Sequence, residues 1–114
     1  MFIVLMHLID GNKAPDHIDG HKEWIRQGFA DEVFLYVGGR RDGRGNAIIA
    51  SGSTPEELRA RIDLNPFVAN GVVNAEIIEL DTTKSDSRLA FMVEFQGDRL
   101  GYQAEPAPDA APWE

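Results

Sequence analysis

Three histidines are the side chains of this chain that ordinarily titrate near neutral pH, and no cysteine accompanies them. His21 is the most informative. Together with Ile18, Ile25 and Phe29 it recurs at i, i+3, i+7 and i+11, the spacing of one helical face. Trp24 and Gly28 border the same stripe. An imidazole in an apolar stripe points at the core or at a cavity, so His21 is either a hydrogen-bonded core residue or a general acid/base. His17 lies four residues earlier, and His17-x-x-x-His21 is metal-ligand spacing. No glutamate follows His17 and no cysteine can complete a site, so His17 is read as a solvated first-turn residue and no metal is assigned. His7 falls where the first strand ends, on the same face as Ile3 and Leu5. There it either rims a pocket or is a partly buried polar residue. Arg40, Arg41 and Arg44 crowd a glycine-rich turn that either clamps an anion or forms a solvated hairpin tip. It is not a phosphate loop, since no Gly-Lys-Ser/Thr follows and it joins strand to strand. A Ser/His/Asp elbow, a dinucleotide glycine fingerprint and a nucleic-acid stacking motif are all missing from the sequence.

These residues need elements to hold them. Residues 2–6 are continuously apolar and predict a buried strand covered on both faces. Pro15, Asp16 and Asp19 suit the start of the helix that carries His21, which Gly20 weakens by about 1 kcal/mol relative to alanine. Residues 33–37 predict a second strand, closed by Gly38-Gly39, and residues 47–50 a third, paired with it as a hairpin. Thr54-Pro55-Glu56-Glu57 is a helix start in which Thr54 caps, Pro55 takes the first helical position and Glu57 closes a capping box. Leu58 and Ile62 form the apolar face of that helix, and Asn65-Pro66 ends it. Residues 72–80 predict a fourth strand. Residues 87–95 predict a further strand or short helix, and from Gln96 the chain becomes an acidic tail with Pro106, Pro108 and Pro112. The order is β-α-β-β-α-β, the ferredoxin-like pattern of an α+β domain over residues 1–95, with a tail over 96–114.

Composition narrows the partners. Nineteen acidic against eleven basic side chains leave a formal charge of −8 on 114 residues. That field opposes nucleic acid and anionic membranes. The longest apolar run is far short of the roughly 20 residues that span a bilayer, and no basic leader or cleavage site stands out, so a cytoplasmic protein is expected. A four-stranded sheet with two helices on one face leaves the other face bare, and a homodimer would cover it.

The stretch from His21 through Lys-Glu-Trp-Ile-Arg-Gln-Gly-Phe-Ala-Asp-Glu-Val-Phe-Leu-Tyr-Val to Gly38-Gly39 resembles the YciI-like (YCII-related) family. So do the opening Met-Phe-Ile-Val-Leu, the Gly45-Asn-Ala-Ile-Ile-Ala strand, and Asn65-Pro-Phe-Val-Ala-Asn-Gly71 followed by Glu76-Ile-Ile-Glu. The match runs over about residues 1–83. It implies a ferredoxin-like fold, a dimeric α/β barrel, and a pocket centred on a histidine–aspartate pair. Family enzymes with an assigned activity are lyases or dehydrochlorinases that act on small hydroxylated aromatics without a cofactor. His21 occupies the family's histidine position. The family's aspartate is Asn65 here, and its proline after the glycine is Gly39.

An aspartate would fix the histidine tautomer and stabilise the imidazolium, whereas an amide is only a neutral acceptor or donor. In the serine-protease triad the same exchange costs about four orders of magnitude in turnover. Either the family chemistry is lost, or His21 works alone, or another carboxylate such as Asp63 serves, although Asp63 would ordinarily face elsewhere. The expectation is a homodimer with catalytic His21 and Asn65, and with His7, Trp24, Tyr36, Gly38, Arg40 and Phe67 contacting a small aromatic or lactone-like ligand. No cofactor is assigned. The reaction expected is a cofactor-independent lyase or isomerase step. The alternatives are a non-catalytic binding or accessory protein and, by analogy of fold alone, a cofactor-free oxygenase.

Overall fold

The computed structural model describes residues 1–93. Residues 2–79 form one compact unit, and Met1 with the described residues from Leu80 onward belongs to a second. In the first unit the order is β1 (Phe2–Leu8), a 3-10 turn (Gly11–His17), α1 (Ile18–Ala30), β2 (Phe34–Gly39), β3 (Gly45–Ala50), α2 (Pro55–Asp63), α3 (Pro66–Ala69) and β4 (Val73–Glu79). The sheet runs β2-β3-β1-β4, with every neighbouring pair antiparallel. Each helical crossover skips one strand, so two βαβ units interleave in a small α+β fold compatible with the ferredoxin-like arrangement.

Strand β1 is buried on one face, not two. Phe2, Val4 and Met6 are enclosed while Ile3, Leu5 and His7 are only partly covered. The apolar run therefore hides an alternation, because the residues of the second face are apolar too. Register carries the pattern across the sheet: Ile48 and Ala50 of β3, and Val73, Ala75 and Ile77 of β4, join the enclosed face. Tyr36, Gly38, Ala47, Ile49 and Ile78 share the open face with Ile3, Leu5 and His7. The pairing of β2 with β3 shifts between Phe34 and Tyr36. That bulge lets Phe34 and Val37, three residues apart, both face the core. Gly38 and Gly39 lie inside β2 rather than closing it.

Helix α2 begins as its sequence indicates. Thr54 Oγ1 accepts from the Glu57 N–H at 3.1 Å, and Glu57 Oε1 accepts from the Thr54 N–H at 3.0 Å. Leu58 and Ile62 are fully buried. Helix α1 departs from its apolar pattern. Ile18 and Phe29 are exposed, and the enclosed residues are His21 and Gly28, with Trp24 half-buried between them. The face is turned because the Phe34 ring lies against Gly28, where any β-carbon would overlap it. Outside this unit, Leu80 donates its N–H to the Met1 carbonyl at 2.8 Å, and Ser87–Val93 forms a 3-10 helix. The remainder of the expected 87–95 element and the tail over 96–114 lie outside the described residues.

Gly28→Ala should therefore destabilise the protein by about 1–2 kcal/mol, since overpacking outweighs the gain in helix propensity. Urea unfolding monitored by circular dichroism measures this, and a midpoint equal to or above wild type would contradict the packing described.

Candidate functional site

Two short elements build the site. His21 sits in the first turn of α1, and Asn65 is the N-cap of the single-turn α3. Asn65-Pro66 does more than end α2: Pro66 takes the first position of a new turn, whose N–H groups Asn65 caps. Gly20 allows the two elements to meet, because a β-carbon there would stand 3.1 Å from Pro66 Cγ. The residue that weakens the helix locally is thus the one that admits its neighbour.

Asn65 is fully buried, and His21 is 5 % exposed. Asn65 Oδ1 accepts from the Phe67 N–H at 2.7 Å and the Val68 N–H at 3.2 Å. The amide's other end, Nδ2, lies 3.0 Å from His21 Nδ1. Rotating the amide would set its NH2 against two N–H donors and leave both unpaired, at a cost of about 1–3 kcal/mol each. The network therefore holds the nitrogen toward the ring. The His21 ring stacks on Phe67 with centroids 4.1 Å apart and planes 9° from parallel. Trp24 lies nearly parallel at 6.2 Å, and its indole also meets Phe34 at 4.9 Å. Trp24 Nε1 donates to the Arg61 carbonyl at 2.9 Å, which ties α1 to α2.

Burial pushes the His21 imidazole below its ordinary value of 6.5. A ring N–H given to an amide oxygen would act the other way and raise it. Here the amide presents its nitrogen, which bonds to the neutral ring, so the contact adds nothing to the charged form.

Of the residues expected around a ligand, His21, Asn65, Trp24 and Phe67 come together. His7, Tyr36 and Gly38 lie on the open face of the sheet, away from the helices. His7 Nε2 is 3.2 Å from Glu76 Oε1 there, and both side chains are exposed. Arg40 pairs with Asp42 at 2.6 Å in the hairpin turn. Asp63 is exposed and pairs with Arg59 at 3.6 Å, so it supplies no carboxylate to His21. Among the described residues, no three of His, Asp or Glu converge as metal ligands, and no helix is long and apolar enough to cross a membrane. A surface groove bounded by Trp24, Gln27, Ser53, Glu57 and Arg61 reaches the indole but does not include His21. What the sequence pattern missed is the support from Phe34 and from the Arg61 carbonyl. Neither carries a local signal. The Asn-Pro pair did carry one for the cap.

No protein-family model and no curated protein sequence is matched by this chain. Among solved structures it is similar to 5-chloro-2-hydroxyhydroquinone dehydrochlorinase (TftG) from Burkholderia phenoliruptrix AC1100, determined in complex with 2,5-dihydroxybenzoquinone. The TM-score is 0.57 at 13 % identity, over 70 % of this chain and 93 % of that one. At that identity the likeness establishes a shared fold.

Because His21 is neutral and buried when folded, the unfolded chain binds its proton more tightly. The stability His21 contributes is complete above pH 6.5 and is lost as pH falls through the depressed folded value. An NMR titration should show His21 protonating below 6.5, and His21→Gln should lessen the loss of unfolding free energy over that acid window. A His21 titrating at or above 6.5 would overturn the burial argument.

Proposed function

We propose that this chain is a YciI-like protein whose His21–Asn65 site acts on a small hydroxylated aromatic or lactone as a cofactor-independent lyase or isomerase, with His21 moving the proton. The observation that carries this is the enclosed His21, held by Asn65 and stacked on Phe67. Planar rings beside an imidazole suit a planar substrate, and a group whose charge changes near neutral pH suits proton transfer. The fold shared with a dehydrochlorinase supports the reaction class. Trp24 and Phe67 are the proposed ligand contacts.

A second reading is a non-catalytic small-molecule-binding protein, favoured by the amide where a carboxylate would stabilise the imidazolium. Incubation with 5-chloro-2-hydroxyhydroquinone, followed by chloride release, separates the two. The enzyme reading expects release by wild type and a drop of about 100-fold or more in His21→Gln, with binding retained. Binding without release supports the second reading, and absence of binding removes both.

The same proposal includes a homodimer formed across the open sheet face. Ile3, Leu5, Ile49 and Ile78 form an apolar strip on that face beside the His7–Glu76 pair, and Tyr36 is 56 % exposed on it. Sedimentation should give a dimer at micromolar concentration, and Leu5→Asp should yield a folded monomer. A monomeric wild type would remove this part of the proposal.

A further inference from the structure

One polar atom at the site has no assigned duty. Asn65 Oδ1 is committed to two backbone N–H groups, and Nδ2 faces His21 Nδ1 at 3.0 Å. An NH2 group can only donate, so His21 Nδ1 must accept and carries no hydrogen. In a neutral ring the hydrogen is then on Nε2. Among the described residues Nε2 has no hydrogen-bond partner, although His21 is only 5 % exposed. Nor is it sealed away: the fully enclosed side-chain atom without a partner among the described residues is Asn46 Oδ1. The other ring donor nearby, Trp24 Nε1, is spent on the Arg61 carbonyl.

We infer that Asn65 locks His21 as the Nε2–H tautomer, so that the site meets its ligand as a hydrogen-bond donor and takes a small planar molecule presenting an acceptor oxygen. This deepens the second, non-catalytic reading of the same site and rests on it for the ligand, because a neutral ring with hydrogen on Nε2 and Nδ1 held by Asn65 offers a substrate no basic nitrogen. The tautomer rests on the hydrogen bonds alone. The Nε2–H is reachable and unpaired among the described residues, so an acceptor oxygen can take its hydrogen bond, whereas a group that only donates cannot. An aspartate at residue 65 would reverse the arrangement. One carboxylate oxygen could keep the two backbone N–H groups, and the other would demand a hydrogen on Nδ1, leaving Nε2 as an acceptor in the neutral ring.

Long-range nitrogen–proton NMR of the histidine side chains at neutral pH tests the tautomer in the intact chain. Wild type should give the pattern of a neutral ring with hydrogen on Nε2, and Asn65→Asp should gain a hydrogen on Nδ1. A wild-type Nδ1–H or imidazolium pattern would overturn the inference and leave the proposed function standing. The ligand is tested with acetophenone and with toluene, a ring of the same size that has no acceptor oxygen. Acetophenone should shift His21 Nε2 and bind about tenfold more tightly, the difference one hydrogen bond makes. Equal affinity or a preference for toluene would overturn the ligand class. An Nε2–H ring that neither probe shifts at millimolar concentration would overturn both the ligand class and the small-molecule reading it rests on.

Discussion

The side chain of Asn65 holds two jobs that cannot be separated. Its oxygen ends the exposed donors of the turn at residues 66–69, and its nitrogen fixes the ring of His21 on another helix. Because the residue is fully buried, each bond is made without competing water, and an unpaired group there would be expensive. The cap decides the direction of the amide, and the amide decides which ring nitrogen of His21 is engaged. The placement of Phe67 follows from the same cap, since its own N–H is one of the two donors.

Around this contact the packing depends on what glycine leaves out. Gly20 admits Pro66, and Gly28 admits the ring of Phe34, which in turn supports Trp24. Both lie on α1, a helix whose intrinsic propensity they lower. Local stability is thus surrendered so that α1 can approach α3 at one end and β2 at the other. The open face of the sheet stands apart from this arrangement. Its residues alternate with the core residues of β1 and β4, and on β4 Asn74 and Glu76 share it with Ile78.

Several features of the chain are legible without its tertiary structure, and they share a physical cause. The start of α2 is written in Thr54, Pro55 and Glu57 because a capping box is closed within four residues. The four strands and the order β-α-β-β-α-β follow from apolar runs broken by turn residues, which also act locally. Of the stripe that helical spacing marked on α1, His21 faces inward while Ile18 and Phe29 are exposed. Tertiary structure alone decided the rest. Phe29 is more apolar than Gly28, yet Gly28 is buried, because Phe34, reached only after the turn beyond α1, fills the space that a side chain would need. Residues 2–6 are apolar throughout, and only strand pairing reveals which of them face the helices. The type of residue 65 was plain from the sequence, but which end of its amide meets His21 depends on the backbone donors of α3 and on a helix 44 positions away.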